Sequence, residues 1–416
     1  MTTDILFDAS RLISRTDRNA PTGVDRVGLA YAEWLTARPD VRMIPVRSRH
    51  DRLVAVEPEW FDKCVRNLRK RWNGPVRAQG DDEEERLFRV LGAEEPPTAS
   101  IMSPPPDPDA PDHTRGRRLR VLRQFVRSRA MPEIPRGRAY FNVGHTSLNT
   151  PDILDSLARS GVPSVVLLHD LIPITHPEFC RPGDGDKHRV RVLNALNHAS
   201  RILVNSAYTA FELDRFARAE GLSSPPVDAV HLGLEPGFSP TRGTGTPRPY
   251  FVHVGTIEAR KNLAFLLTVW RRLQERMGPS TPQLVLVGRY GWENEAVLDH
   301  LQRSPNLQGL VHQTAAMGDE ALARLMSNAR AVLAPSSVEG FDLPAVEASA
   351  LGAPLIASDI PVHRELVGHA ELIDPLDGLG WLAALERATL MAPVAPAYQA
   401  PTWAGHFAEV ERRLGI

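Results

Sequence analysis

Apolar and polar positions are most regular in the second half of the chain. Tyr250 to Val254 is a short apolar run, and Asn262 to Arg276 carries apolar residues at helical spacing. Leu284 to Val287 is again a run, followed by a helical pattern from about Glu293 to Arg303. The helical stretch Asp319 to Asn328 precedes the run Ala331 to Ala334, and Pro354 to Ala357 supplies a further strand. Strands that alternate with helices predict a parallel sheet covered on both faces. The first half repeats the theme less evenly. Ile5 to Phe7 predicts a strand that runs into a loop reaching Pro21 to Val27, with a helix beyond it marked by Leu29, Trp34 and Leu35. Tyr140 to Val143, Val165 to Leu168 and Arg201 to Ser206 read as three more strands, with a helical stretch ending near Ala199 before the last of them. A Pro/Gly/Thr-rich segment, Ser239 to Pro249, divides the halves. The expected layout is therefore α/β, with domains at 1–240 and 250–395 and a closing helix within 396–416.

Residues 60 to 138 break the pattern and read as an irregular insertion. The runs Asp81 to Glu85 and Pro104 to Asp112 have the composition of solvated or disordered chain. The stretch Arg115 to Arg129 differs. Leu119, Leu122, Phe125 and Val126 share one helical face, and Arg117, Arg120, Arg123 and Arg127 carry the charge. Such a helix can lie on anionic lipid as a peripheral membrane contact, or dock on the first domain as a surface helix.

A length of 416 residues with 42% hydrophobic content suits two cored domains. The formal net charge of -1 gives no global attraction to nucleic acid, so no nucleic-acid partner is expected. Two cysteines, Cys64 and Cys180, do not make a disulfide framework and fit a reducing compartment. No apolar run is long enough to span a bilayer, and the polar start MTTD does not read as a signal peptide. A cytoplasmic protein, at most peripheral to the inner face of a membrane, is the expectation.

The candidate chemistry lies where strands end. Val338 to Ala348, VEGFDLPAVEA, follows the strand at Ala331 and opens a helix, with Pro344 suited to its first turn and Gly352 to its end. Backbone N–H groups at such a junction can hold a phosphate, while Glu339 and Glu347 beside it can accept from sugar hydroxyls. Asp342 would repel a diphosphate, so it is expected to face sugar hydroxyls or cap the helix. The turn Gly255 to Asn262 puts Arg260 and Lys261 at a strand end, either as a solvated basic pair or as counter-charge for a departing diphosphate. Gly23, at the mouth of the first helix, is either a turn glycine or a place of close ligand approach. Arg26 is a lesser candidate for the same pocket. His169 stands at the carboxyl end of Val165 to Leu168, where open parallel sheets bind ligands. The histidines at 145, 169, 176, 188 and 198 lack zinc spacing, so no metal site is expected.

EGFDLPAVEASALGAPLIASDIPVHREL resembles the donor-binding segment of retaining glycosyltransferases of family 4, with Asp342 where that family usually has glycine. GTIEARKN resembles the family's basic turn, with Lys261 at the lysine position and Thr256 where many members carry arginine. HDLIPITHPEF, VHLGLEPGF and VGRYGWENE resemble further family segments in the same order; VHLGLEPGF, Val230 to Phe238, resembles the strand that closes the first domain, and His312 to Leu322 resembles the family's stretch near the nucleotide base. The resemblance is weak between about residues 40 and 138 and strongest from 250 to 375. It implies a GT-B fold, two Rossmann-like domains with parallel sheets facing a central cleft. It also implies retaining transfer of a sugar from a nucleotide sugar to a hydroxyl of a glycan or lipid-linked acceptor. GDP-mannose is the first expectation for the donor, in bacterial surface polysaccharide assembly, with no cofactor and no divalent metal. Implied catalytic residues are His169, Arg260, Lys261 and Glu339. Implied donor-binding residues are Gly23, Gly255, Gly288, Arg289, Gly340, Phe341, Asp342, Leu343 and Glu347. A nucleotide-sugar 2-epimerase and a non-catalytic scaffold share the same fold. A nicotinamide dehydrogenase would need a glycine fingerprint that is not present.

Overall fold

The computed structural model describes residues 2–18, 21–49, 52–73, 80–104, 138–235, 240–241, 245–315, 317–395 and 397–415. Arg115 to Arg129 and Pro105 to Asp112 lie outside them.

Strands β1 (Thr3–Asp8), β2 (Val41–Arg49), β3 (Arg52–Ala55), β4 (Ala139–Asn142), β5 (Ser164–Leu168), β6 (Arg201–Val204) and β7 (Val227–Ala229) form the first sheet. Their order is β3-β2-β1-β4-β5-β6-β7. The second sheet holds β8 (Tyr250–Val254), β9 (Gln283–Val287), β10 (Val311–Thr314), β11 (Ala331–Ala334), β12 (Leu355–Ser358) and β13 (Glu371–Ile373), in the order β10-β9-β8-β11-β12-β13. Strand order reverses at β1/β4 in one sheet and at β8/β11 in the other, both pairs being parallel. Loops splay apart at such switch points and leave a crevice at the carboxyl ends. This is a GT-B arrangement of two Rossmann-like sheets.

The central strands are buried on both faces, which is why they read as unbroken apolar runs such as SVVLL and QLVLV. Strands β2, β10 and β13 have no counterpart in the sequence-based layout, and three further features depart from it. The pairing of β2 with β3 is antiparallel, so the first sheet is not wholly parallel. The strand that closes this sheet is Val227–Ala229, just ahead of the segment expected to supply it. Acidic Asp81 to Glu85, expected as solvated or disordered chain, lies in a helix, Gly80–Leu91, whose Leu87 and Leu91 are buried; Pro58–Asn73 is also helical. Charge at one end of a helix says little about an apolar stripe further along it.

The closing helix Trp403–Leu414 lies on Gly23–Ala37 of the first domain. Trp34 and Phe407 stack with ring centroids 4.5 Å apart, and Tyr31 Oη sits 2.9 Å from His406 Nε2. His406 Nδ1 is held by the His231 carbonyl, which can only accept, so Nε2 carries the lone pair that receives the Tyr31 proton. One apolar cluster runs without a break from β1 and the helix Gly23–Ala37 to β8, β11 and β12.

Candidate active site

The loops after β8 and β11 meet at the switch point of the second sheet. Ser337 N donates to Arg260 O at 2.8 Å and ties them together. Ala259–Lys261 is one 3-10 turn, and it sends the Lys261 side chain back under Gly255. Glu339 bridges both cations. Its Oε2 is 2.5 Å from Arg260 Nη1 and its Oε1 is 2.6 Å from Lys261 Nζ. Arg260 Nε also meets Glu258 Oε1 at 2.6 Å.

Asp342 extends this cluster. Its Oδ1 lies 3.1 Å from Lys261 Nζ and its Oδ2 lies 3.0 Å from His363 Nε2, while His363 Nδ1 is held by Ser358 O at 2.8 Å. All three side chains are buried. Asp342 makes no capping hydrogen bond to the helix Leu343–Ala350, so the sequence-based choice between a cap and a sugar contact gives way to a third role. Its backbone is left-handed, with φ of 60°. Glycine takes this conformation freely and aspartate is among the few others that tolerate it, so the position stays open to the residue. Burial alone raises the Asp342 carboxyl, but Lys261 and His363 override it and hold the group well below the usual carboxylate range. Burial likewise opposes the charge on Lys261, and Asp342 with Glu339 keeps the ammonium protonated.

Several buried polar atoms at these strand ends lack a well-directed hydrogen bond. They are Arg260 Nη1, Glu339 Oε1, His253 Nε2, Ser336 Oγ and Ser358 Oγ. The short contacts to Glu339 are thus ion pairs of poor direction. Most buried polar groups find partners. A group of orphans around one crevice is what a polyoxygenated ligand would complete. His253 Nδ1 is fixed by the Leu333 carbonyl, so its orphan Nε2 is an acceptor; burial lowers its pKa to about 4 and keeps it neutral.

The first domain closes on this crevice at Gly340. A Cβ there would stand 2.3 Å from His169 O, so only glycine allows the two backbones to touch. Ser206 Oγ donates to Gly340 O at 2.8 Å, and Asn205 Nδ2 to His169 O at 2.8 Å. His169 itself donates through Nε2 to Val143 O at 2.9 Å, which leaves Nδ1 as a lone-pair acceptor. Burial drives its pKa to about 4, so it is a neutral hydrogen-bonding group. A small cavity lies here, lined by Asp170, Ile172, Thr175, Glu339 and Gly340 among others.

Two further expected residues meet across the domains. The Cβ position of Gly23 is 3.4 Å from Leu343 Cδ1. Gly23 opens its helix behind a capping box in which Thr22 and Asp25 satisfy each other's backbone N–H. That helix carries Arg26, which forms a double hydrogen bond to Asp319 at 2.8 and 3.2 Å. Glu347 lies beside this pair. Burial raises its pKa to about 7, with Asp319, Asp342 and Glu235 adding repulsion and Arg26 opposing it.

The remaining candidates divide. Gly255 and Gly288 lie against each other, a Cβ on Gly288 falling 1.8 Å from Gly255 O. Arg289 is exposed, and its carbonyl accepts from Ile257 N. Phe341 points into the apolar core, its ring 6.1 Å from that of His231, so its side chain faces no ligand. Sequence reasoning did not name Glu258, His253 or His363 as site residues, and placed Asp319 only in a stretch near the nucleotide base. Glu258 lies inside the basic turn and His363 inside the donor-binding segment, but each becomes part of the site only when separate strands end side by side. Among the described residues, no group of three His, Cys, Asp or Glu is arranged to hold a metal ion.

Residues 239–386 match the family model of Glycosyl transferases group 1. The match spans the second sheet, from β8 to β13, and makes that part of the chain similar to a group 1 glycosyltransferase domain. The serotype-specific mannosyltransferase WbdA of Escherichia coli is 29% identical over 230 residues, 51% of this chain and 28% of its own length. The O-antigen chain mannosyltransferase B of Escherichia coli is 30% identical over 231 residues, 51% of this chain and 58% of its own. The chain therefore spans about a quarter to a little over half of the curated relatives it matches. In structure, Anabaena HepE in complex with UDP and glucose superposes with a TM-score of 0.62 at 16% identity, over 99% of each chain. That likeness extends the GT-B fold over both domains, and the Arg260–Lys261–Glu339 cluster and the Gly340 loop lie inside the matched stretch 239–386.

Proposed function

We propose that this protein transfers a sugar from a nucleotide sugar to a hydroxyl of a glycan or lipid-linked acceptor in surface polysaccharide assembly, with retention of configuration and without a divalent metal. GDP-mannose is the donor we favour. The observation that carries this reading is the cluster of Arg260, Lys261 and Glu339, buried at the switch point and roofed by His169 through the Gly340 contact. The mannosyltransferase names of the relatives support the sugar.

In this reading the donor diphosphate enters between the strand ends and competes with Glu339 for the two cations. Arg260 and Lys261 then neutralise the charge that builds on the leaving diphosphate. Glu339, released from one of them, accepts from hydroxyls of the sugar, as does the Nδ1 lone pair of His169. Glu347 accepts from the ribose. The backbone N–H groups at the start of Leu343–Ala350 add donors toward the phosphates. The leaving phosphate oxygen takes the acceptor proton on the same face, so no protein nucleophile is needed. No helix among the described residues is long and apolar enough to cross a membrane, and a lipid-linked acceptor would be met at its surface.

The test is incubation with GDP-mannose, UDP-glucose or UDP-N-acetylglucosamine, with and without EDTA and with oligomannose acceptors, followed by product analysis. Glycosidic product with retained configuration, formed from GDP-mannose in EDTA, is expected. An epimerised sugar nucleotide without acceptor dependence would identify an epimerase instead. Failure to bind any nucleotide would leave only a scaffold.

A further inference from the structure

The second sheet ends at β10, and its edge is covered by chain from the first half of the sequence. Gln313 N donates to Ile101 O at 2.8 Å, and Ser103 N donates to Gln313 O at 3.2 Å, so 101–103 adds a parallel rung beside β10. Ile101 N donates to His312 Nδ1 at 3.1 Å, and Gly309 N to Ser100 Oγ at 3.0 Å. The preceding helix Gly80–Leu91 rests on the same domain, with Arg324 4.3 Å over the Phe88 ring. Edge strands left open invite foreign pairing, and this strap removes that risk for β10.

The strap also has a direction. Being parallel to β10, it runs toward the carboxyl ends of the sheet and delivers Ser103 there. Ser103 Oγ accepts from Ala315 N at 2.9 Å and donates to Glu83 Oε1 at 2.6 Å. Glu83 is thus fixed at the rim by a hydroxyl that is itself fixed. On the neighbouring loop, the Tyr290 hydroxyl is buried and, among the described residues, has no hydrogen-bond partner; burial followed by the Glu83 charge pushes its pKa up to about 12. From Ala315 the chain leads to Asp319, which faces Glu347. Two strand spacings, about 10 Å, separate the ends of β8 and β10. A ribose and a base bridge such a span.

We propose that Glu83 and Tyr290 form the base-recognition edge of the donor pocket, with Ser103 as the positioning residue, and that they select guanine nucleotides. This rests on the nucleotide-sugar reading above. Guanine presents an acceptor, O6, beside two donors, N1–H and N2–H. A phenol hydroxyl next to a carboxylate is the complementary set. Uracil offers one donor between two carbonyls, so its second carbonyl would face the Glu83 carboxylate. Adenine offers an amino group where the Tyr290 proton points.

Calorimetric titration of the full chain with GDP, UDP and ADP tests this, with thermal unfolding to monitor folding. Wild type is expected to prefer GDP, and Glu83→Gln to weaken GDP by about tenfold or more while strengthening UDP, whose second carbonyl then no longer meets a carboxylate. Ser103→Ala lowers the GDP-to-UDP ratio through Glu83, a readout that general loosening of the strap would not move. Should either variant fold poorly, Tyr290→Phe removes one hydroxyl only and should weaken GDP and UDP while sparing ADP. Equal binding of all three nucleotides by wild type, or uniform weakening by Glu83→Gln, overturns base recognition but leaves the transferase reading standing. Binding of none overturns that reading itself.

Discussion

Lys261 Nζ lies 3.1 Å from Asp342 Oδ1, and both side chains are buried. The pair joins a strand-end cation to a residue whose family counterpart has no side chain. With Glu258, Glu339 and Asp342 on one side and Arg260 and Lys261 on the other, the carboxylates outnumber the fixed cations until His363 is counted. His363, hydrogen-bonded to Asp342, has a raised pKa despite its burial. Asp342 therefore holds back one of the two charges that a diphosphate would use.

Releasing that charge should show in binding. Asp342→Asn keeps the shape and the left-handed backbone but removes the anion. Nucleoside diphosphate is expected to bind more tightly to the variant. Stability should fall by about 1–3 kcal/mol, because Lys261 and His363 lose a buried partner. Calorimetry and urea unfolding measure the two effects, and unchanged affinity would refute the charge argument.

Lys261→Met strands two carboxylates, so loss of activity alone would prove little. Pairing it with Asp342→Asn removes one charge of each sign. The double variant should recover much of the lost stability, while turnover stays low if Lys261 stabilises the departing diphosphate. Recovery of both together would reduce Lys261 to a structural counter-ion.

Glu347 gives a pH dependence with a defined sign. Its pKa is raised from the ordinary 4.5 to about 7 in the folded protein, so between those values the folded state binds the extra proton. Its contribution to stability is therefore lost as pH rises through that window, to a limit of about 3 kcal/mol. Glu347→Gln should flatten the stability profile between pH 4.5 and 7 and raise stability at pH 8. The same variant should bind donor poorly at pH 8, where the wild-type carboxylate is ionised and best able to accept from ribose. Wild-type donor affinity should rise from pH 6 to pH 8, and a flat profile would remove Glu347 from the site.

Gly340→Ala brings a methyl group to within 2.3 Å of the His169 backbone oxygen and 2.9 Å of Asp170 Cβ. The domains must part or the loop must shift, at a cost of about 1–3 kcal/mol. Lower thermal stability, a larger radius of gyration by small-angle scattering and loss of transfer are expected together.

Arg26 and Asp319 join the domains through a double hydrogen bond with both side chains largely shielded. A double-mutant cycle with Arg26→Ala and Asp319→Ala should give a coupling of about 1 kcal/mol, above the median for exposed pairs. Arg26→Ala should also raise donor KM, since the guanidinium moderates the charge beside Glu347. Additive effects in the cycle would show that the pair does not act across the cleft.

The sequence alone determined four of the six strands of the second domain, β8, β9, β11 and β12, because strands buried on both faces are apolar throughout and so stand out between amphipathic helices; the polar β10 and the short β13 do not. Tyr250–Val254 and Ala331–Ala334 match the expected bounds residue for residue. Glu339, Arg260 and Lys261 were legible because each lies within a few residues of a strand end, where a local motif fixes its place. Tertiary structure decided the rest. That Asp342 binds Lys261 rather than capping its helix depends on His363, which arrives on the helix Pro361–Val367 after β12. The antiparallel β3, the helix Gly80–Leu91 and the strap at 101–103 were hidden because a strand edge recruits partners through backbone N–H and C=O groups, which every sequence carries and no side-chain pattern announces.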